Sequence, residues 1–397
     1  MMSISKKVDR IEESQTIAMT SLARKLKSEG KNVISLSAGE PDFPTPENIK
    51  QAAIKAIQNN FTKYTQNEGT PELREAVAEK FRSENGLRVN ASNILISDGG
   101  KHSIYNALQA ICDPGDEVII PAPYWVSFPE MVKLVDAVPV ILHTREEEGF
   151  TFTDDDLEPL LTKKTKAIII NSPSNPTGSI LDEKILRGIA ELAERHGFFI
   201  ISDEIYEKII YDGHRHFSVG SIPEVRDQVI TISGVSKAYS MTGWRIGFMA
   251  ANEKIVKSAA KIQSQMTSNP SSISQAAALE AVRGTQGEIE KMRLAFQKRR
   301  DLLLDKLSRI DGLNTTKPFG AFYFFPSIKR FIGSGANGAA LKNSLDITHY
   351  LLAEAQVALV PGAAFGSDNH IRISYAYSEQ ELIEAADRIS AALGRLR

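Results

Sequence analysis

The chain has 397 residues, room for two or three domains of about 100–200 residues each, and its 42% hydrophobic and 24% charged content excludes a disordered, collagen-like or disulfide-scaffold chain. Lys and Arg total 47 against 49 Asp and Glu, a formal net charge of -2, which argues against a nucleic-acid or membrane-surface partner held by bulk charge. One cysteine (Cys112), no apolar run of the roughly 18–20 residues that span a bilayer, and an N-terminus (MMSISKKVDRIEES) without an apolar signal core give the expectation of a cytoplasmic protein.

In chain order, a polar start leads into an amphipathic helix over about Thr16–Ser28, a first strand over Val33–Leu36, and a Pro-rich crossing segment, SAGEPDFPTPENI (Ser37–Ile49). From there to about Gly284, short β-branched runs alternate with helical stretches such as Pro71–Ser83 and Leu181–His196. Seven strands are expected, at 94–97 (ILIS), 117–120 (EVII), 138–142 (VPVIL), 167–170 (AIII), 198–202 (FFIIS), 228–232 (QVITI) and 246–250 (IGFMA). Several are continuously apolar rather than alternating, the pattern of strands buried on both faces in a mostly parallel sheet covered by helices. This is an α/β signature. After Gly287 come a charged helix (Glu288–Ile310), AFYFF (Ala321–Phe325), a helix over Asp346–Gln356, VALVPG, HIRISYAY and a final helix over Glu379–Leu393. These read as a smaller α+β domain completed by the chain start. The expected division is 1–45 for an N-terminal arm and part of the small domain, 46–287 for the large domain, and 288–397 for the small C-terminal domain.

Three features read as bland. Gly333, Gly335 and Gly338 match G-x-G-x-x-G, but the segment before them, PSIKRFI, is short for the strand a dinucleotide site needs and the nearest acid, Asp346, is too close, so a mobile surface loop is expected. His214 and His216 have no third ligand nearby in sequence and read as a solvated turn; Asp154–Asp156 reads as a solvated helix start. No metal site is expected.

Lys237 stands alone among Ser, Gly and Ala just after an apolar strand, in ISGVSKAYSMTGWRIG. Small neighbours leave room for a planar group, and a lysine held in a pocket can form a Schiff base with a carbonyl. Asp203 follows FFIIS at the carboxyl end of a buried strand, where open α/β sheets bind ligands, and a buried acid there needs a positive partner. The ring nitrogen of pyridoxal phosphate is such a partner, and the pairing makes the ring an electron sink. Tyr206, about one helical turn on, could reach that cofactor's phenolic oxygen. ILIS–DGGK–HSIYNALQAI reads as strand, glycine turn and helix, so Gly99 and Gly100 allow close backbone approach and the helix start offers free N–H groups to a phosphate. Arg245 supplies a fork of donors suited to phosphate, and NSPSNPTG (Asn171–Gly178) brings Asn175 to the same sheet edge.

SAGEPDFPTP, NSPSNPTG, SDEIY, SKAYSMTGWRIG and RISYA, in this order and spacing, resemble the fold-type I pyridoxal-phosphate aminotransferases, and among them class I, subgroup Ib, the bacterial aspartate aminotransferases. The resemblance runs from about Thr16 to the end of the chain. It implies a seven-stranded large domain, and a homodimer with shared active sites. It also implies that Lys237 holds the cofactor and moves the proton, that Asp203 pairs with the ring nitrogen, and that Asn175 and Tyr206 bind the phenolic oxygen. Gly99, Gly100, Lys101, Ser236 or Ser233, and Arg245 are implied around the phosphate, with Trp125 stacked on the ring and Tyr64 reaching the neighbouring subunit's phosphate. Gly39 and Arg372 are implied as the grip on the substrate α-carboxylate, with Asn175 and Trp125 alongside. Animal-type enzymes read the distal carboxylate with an arginine from the other subunit; the matching stretch here, KIQSQMTSNPSS (Lys261–Ser272), has none, and the role passes by implication to Lys101. The implied reaction is transamination of L-aspartate with 2-oxoglutarate. The alternatives are a prephenate or aromatic amino acid aminotransferase, a β-eliminating lyase using the same lysine and aspartate, and a ligand-binding regulator on the same body, for which the short segment before the first helix leaves no DNA-binding domain.

Overall fold

The central strands read as unbroken apolar runs because both faces of their sheet are covered. The computed structural model describes residues 4–336 and 339–396. Among them a seven-stranded sheet runs in the order Ile94–Ser97, Gly247–Ala250, Val229–Gly234, Phe199–Asp203, Thr165–Asn171, Glu117–Ala122, Val138–His143. Gly247–Ala250 is antiparallel to both neighbours and every other pairing is parallel. Successive side chains take opposite faces. Ala167 and Ile169 pack with helices Gly100–Ile111, Ser127–Leu134 and Glu253–Met266, whereas Ile168 and Ile170 pack with helix Glu183–His196. That last helix starts where the Asp182 carboxylate accepts the Ile185 N–H and stops at Gly197 in the left-handed region, at φ 78°.

The elements after Gly287 build a second, three-stranded antiparallel sheet, Val360–Pro361, Ile371–Ser374, Tyr323–Phe324, beside helices Gly287–Leu307, Ser344–Glu354 and Glu379–Gly394. The strand expected near the chain start is Ile34–Ser35, and it pairs in parallel with Val357–Ala358. One apolar cluster joins the two parts, from Ile94 and Phe248 through Met292, Phe296 and Tyr323 to Ile371 and Leu382.

The structure departs from the sequence expectation mainly at strand ends. Val229–Gly234 runs two residues past 228–232 because Ser233 and Gly234 find ladder partners in Phe248 and Gly247. Gly333 and Gly335 are exposed, and Gly335–Ala336 pairs with Ala339–Ala340 in a two-residue ladder that one helical turn, not a strand, precedes; Gly338 lies outside the described residues. Among the described residues no helix is long and apolar enough to cross a membrane.

Candidate active site

The carboxyl ends of two central strands bring Asn171 and Asp203 side by side, as partners in register. They open into a cavity of about 520 Å³ that also collects Gly39, Gly100, Lys101, Trp125, Asn175, Tyr206, Ser236, Lys237, Arg245 and Arg372, from segments spread over most of the chain. Three other sequence candidates lie elsewhere. Ser233 sits in the prolonged strand and its hydroxyl donates to Glu207, away from the cavity, at 2.5 Å. Gly99 caps the helix whose first residues, Gly100 and Lys101, line the cavity, without lining it itself. Tyr64 is 91% exposed and reaches nothing in the cavity of its own chain.

Asp203 is 5% exposed, and its carboxylate accepts one N–H, from Ile205 at 3.2 Å. Its backbone carbonyl is held by the Asn171 side chain at 3.0 Å, which anchors the strand end. Burial pushes its carboxyl up to about 7, against the opposing pull of the Ile205 N–H and Lys237. Lys237 donates to the Gly39 carbonyl at 2.5 Å and stands 5.7 Å from the Tyr206 ring centroid. Burial, then Arg372, lowers its amine to about 8. The cavity therefore holds an acid made reluctant to ionise and an amine made reluctant to protonate, a pairing typical of catalytic sites.

The anion-binding corner depends on glycine. Gly99 has φ 87°, and a Cβ there would stand 2.2 Å from Arg245 Nη2. Helix Gly100–Ile111 begins with no side-chain cap, and its first residues, Gly100 and Lys101, line the cavity, which sets the positive end of the helix dipole at that wall. Arg245, itself left-handed at φ 57°, is braced by the carbonyls of Thr242 and Asp98 at 3.0 and 3.1 Å. Lys101 rests its ammonium 4.8 Å from the centroid of Trp125, and burial, then Arg245, lowers its pKa.

On the opposite wall Arg372 is 2% exposed. It donates to the Asn175 side chain at 2.8 Å and the Ser37 carbonyl at 2.7 Å, lies over the rings of Tyr323 and Phe365, and keeps a buried Nε without a partner. That unspent donor and the buried Asp203 carboxylate, which a single N–H supports, suit, respectively, an anionic substrate group and a cationic ring. The sequence signature of the family described as aminotransferase class I and II matches residues 31–389. The chain belongs to this family.

Full-length relatives agree with the family. This aminotransferase is 48% identical to a probable aspartate/prephenate aminotransferase of Rickettsia bellii, over 99% of each chain. It superposes on the crystal structure of an aspartate aminotransferase from Rhizobium meliloti with TM-score 0.96 at 43% identity, covering 100% of each chain. It superposes on a Thermus thermophilus aspartate aminotransferase with maleate with TM-score 0.93 at 41% identity, covering 99% of this chain and 100% of the other.

Sequence reading missed several cavity residues of this aminotransferase. Thr16, Ile17 and Arg24, from helix Gln15–Ser28, line the cavity, and so does Tyr323. A polar hydroxyl inside AFYFF was the one available signal for Tyr323. The solvated-turn reading of His216 is corrected: its Nε2 lies 2.7 Å from Glu204, within a buried network beneath the strand ends. Glu204, Glu207 and His216 converge closely enough to hold a cation, and the Lys80 ammonium, bonded to Glu207 at 2.5 Å and Asn85 at 2.8 Å, stands there. Burial alone would raise Glu207, yet Lys80, His216 and Ser233 together bring it down to about 2.

Proposed function

We propose that this aminotransferase moves the amino group of L-aspartate to 2-oxoglutarate, giving oxaloacetate and L-glutamate, with pyridoxal 5'-phosphate as cofactor and a homodimer as the working unit. The observation that carries the reading is the pairing of Asp203, pushed up to about 7, with Lys237, lowered to about 8, in one cavity with a glycine-built anion corner. When bound, the cofactor supplies a carbon that accepts the amino group and a protonated ring that takes up the electron pair left on the substrate's α-carbon once its proton is removed.

The chain's own residues would do the rest. Asp203 would hold the ring proton, and a cation there would offset the burial cost of its carboxylate. Asn175 and Tyr206 would donate to the phenolic oxygen, and Trp125 would cover the ring face. The backbone at Gly100 and Lys101, with Ser236 and Arg245, would hold the phosphate; the Ser233 hydroxyl, engaged by Glu207, leaves that role to Ser236. Arg372, through its free Nε, and Gly39 would grip the α-carboxylate. Lys237, neutral over much of the range near pH 8, would take the α-proton and return it. Tyr64, exposed on a single chain, would complete the phosphate site of a second copy.

The names of the Rhizobium meliloti and Thermus thermophilus enzymes, and the dicarboxylate maleate that accompanies the latter, support an acidic substrate. The Rickettsia bellii relative's name favours prephenate as a second amino acceptor. A panel of amino donors against 2-oxoglutarate, and of prephenate against aspartate, tests both. Failure of aspartate to form glutamate refutes the main reading, and release of pyruvate and ammonia would point to a lyase.

A further inference from the structure

Tyr323 is fully buried, in the strand Tyr323–Phe324, and lines the cavity although no sequence motif marks it. Its hydroxyl lies 2.8 Å from the Tyr206 hydroxyl. The two rings cross at 82° with centroids 5.9 Å apart, so the oxygens meet at the ring edges. The Arg372 guanidinium sits 4.5 Å from the centroid of the Tyr323 ring. A Cβ on Gly39 would come within 2.7 Å of the Tyr323 oxygen, so glycine there is what lets this tyrosine reach in. One side chain thus touches the proposed partner of the phenolic oxygen, the proposed carboxylate grip and the segment that holds the Lys237 amine.

The hydroxyl pair has a direction to choose. Among the described residues neither hydroxyl has another hydrogen-bond partner. Each oxygen carries one proton, so the shared bond uses one of them and leaves the other free. If Tyr206 spent its proton on Tyr323, it could offer the cavity only lone pairs. We propose that Tyr323 is a positioning residue: its O–H donates to Tyr206, which turns the Tyr206 proton into the cavity and strengthens it as a donor to the phenolic oxygen, while its ring face carries Arg372. This rests on the function proposed above.

The charged and titratable groups facing the pair are few. Arg372 comes from the second sheet, Asp203 from the end of its central strand, and Lys237 from the loop after the next strand. Burial holds both tyrosines above the ordinary phenol range, so both stay protonated throughout the working pH. A donor that itself accepts a hydrogen bond is strengthened by about 10–30%. Losing that support weakens the hold on the phenolate, so a proton persists on the bound cofactor to higher pH, by about 0.3 pH unit.

The test is a pH titration of the visible absorption of protein loaded with pyridoxal phosphate, for wild type, Tyr323→Phe, Tyr206→Phe and the double variant. Tyr323→Phe should raise the midpoint by about 0.3 unit, Tyr206→Phe should raise it further, and the double variant should match Tyr206→Phe alone. KM for aspartate should rise more in Tyr323→Leu, which removes the Arg372 platform, than in Tyr323→Phe, which keeps it. A loaded protein whose midpoint is unmoved by Tyr323→Phe, or in which the two shifts add, overturns this inference alone. A protein that takes up no pyridoxal phosphate overturns the proposed function and this inference with it.

Discussion

Replacing Asp203 by asparagine should stabilise the cofactor-free protein, and more so as the pH rises. Burial raises the folded carboxyl from an ordinary 3.8 to about 7. Below pH 4 both folded and unfolded chains hold the proton and the carboxyl costs nothing. Between pH 4 and 7 the unfolded chain loses its proton while the folded chain keeps it, so the unfolded state gains and stability falls with rising pH. Above pH 7 the cost is constant. At about 1.4 kcal/mol per unit, the gap between 3.8 and about 7 sets a ceiling of about 4 kcal/mol. Part of that cost lies below pH 5, so we expect the gap between Asp203→Asn and wild type to widen by about 1–3 kcal/mol from pH 5 to pH 8.5. Urea unfolding of both cofactor-free proteins at one protein concentration reads this directly, because contributions common to the two chains cancel. A gap independent of pH, or one favouring wild type at high pH, would refute the argument. Loading with pyridoxal phosphate should shrink or reverse the gap, since a cation at Asp203 removes the cost there, and the variant should be slow in the half-reaction.

The rate at which cofactor-free protein captures pyridoxal phosphate should climb with pH and level off above about 8, the value to which burial and Arg372 bring Lys237; stopped-flow absorbance measures it, and a climb continuing past pH 10 contradicts it. Lys101→Ala should lower kcat/KM for aspartate by about 1–3 kcal/mol while sparing alanine and phenylalanine; equal losses would move Lys101 to the phosphate instead. Arg300, fully buried with Asp212 and Asp301 as ion partners and Tyr211 beneath its guanidinium at 4.8 Å, should cost about 1–3 kcal/mol as Arg300→Met, because the Pro318 carbonyl and half-exposed Asp301 lose their donor while Asp212 keeps Lys317; a urea midpoint near wild type would show these bonds to be idle. Mixing inactive Tyr64 and Lys237 variants should restore part of the activity through hybrid sites, and a fully active monomer by light scattering would end the shared-site reading.

Much of the site was legible because its signals are local. A buried parallel strand declares itself by an unbroken apolar run, and its last residue, Asp203, falls at the ligand edge by the geometry of any such sheet. The Gly99–Gly100 turn and the helix start after it follow from backbone sterics and unspent N–H groups within a dozen residues. Lys237 stands out because its neighbours are small.

What the sequence could not reach depends on partners far apart in the chain. Whether Ser233 or Ser236 faces the cavity turned on two extra ladder pairs with Phe248 and Gly247, since one more strand residue reverses the face a side chain takes. Tyr323 looked like one aromatic among phenylalanines; only the second sheet's position against the first sets its hydroxyl on Tyr206, 117 residues away. His216 read as solvated because its partners, Glu204, Glu207 and Lys80, meet it through folding rather than spacing. Local periodicity and backbone chemistry decide which elements form and which ends they expose. Side-chain direction, burial and the resulting proton affinities are decided by packing between elements, and that packing exists only in the folded chain.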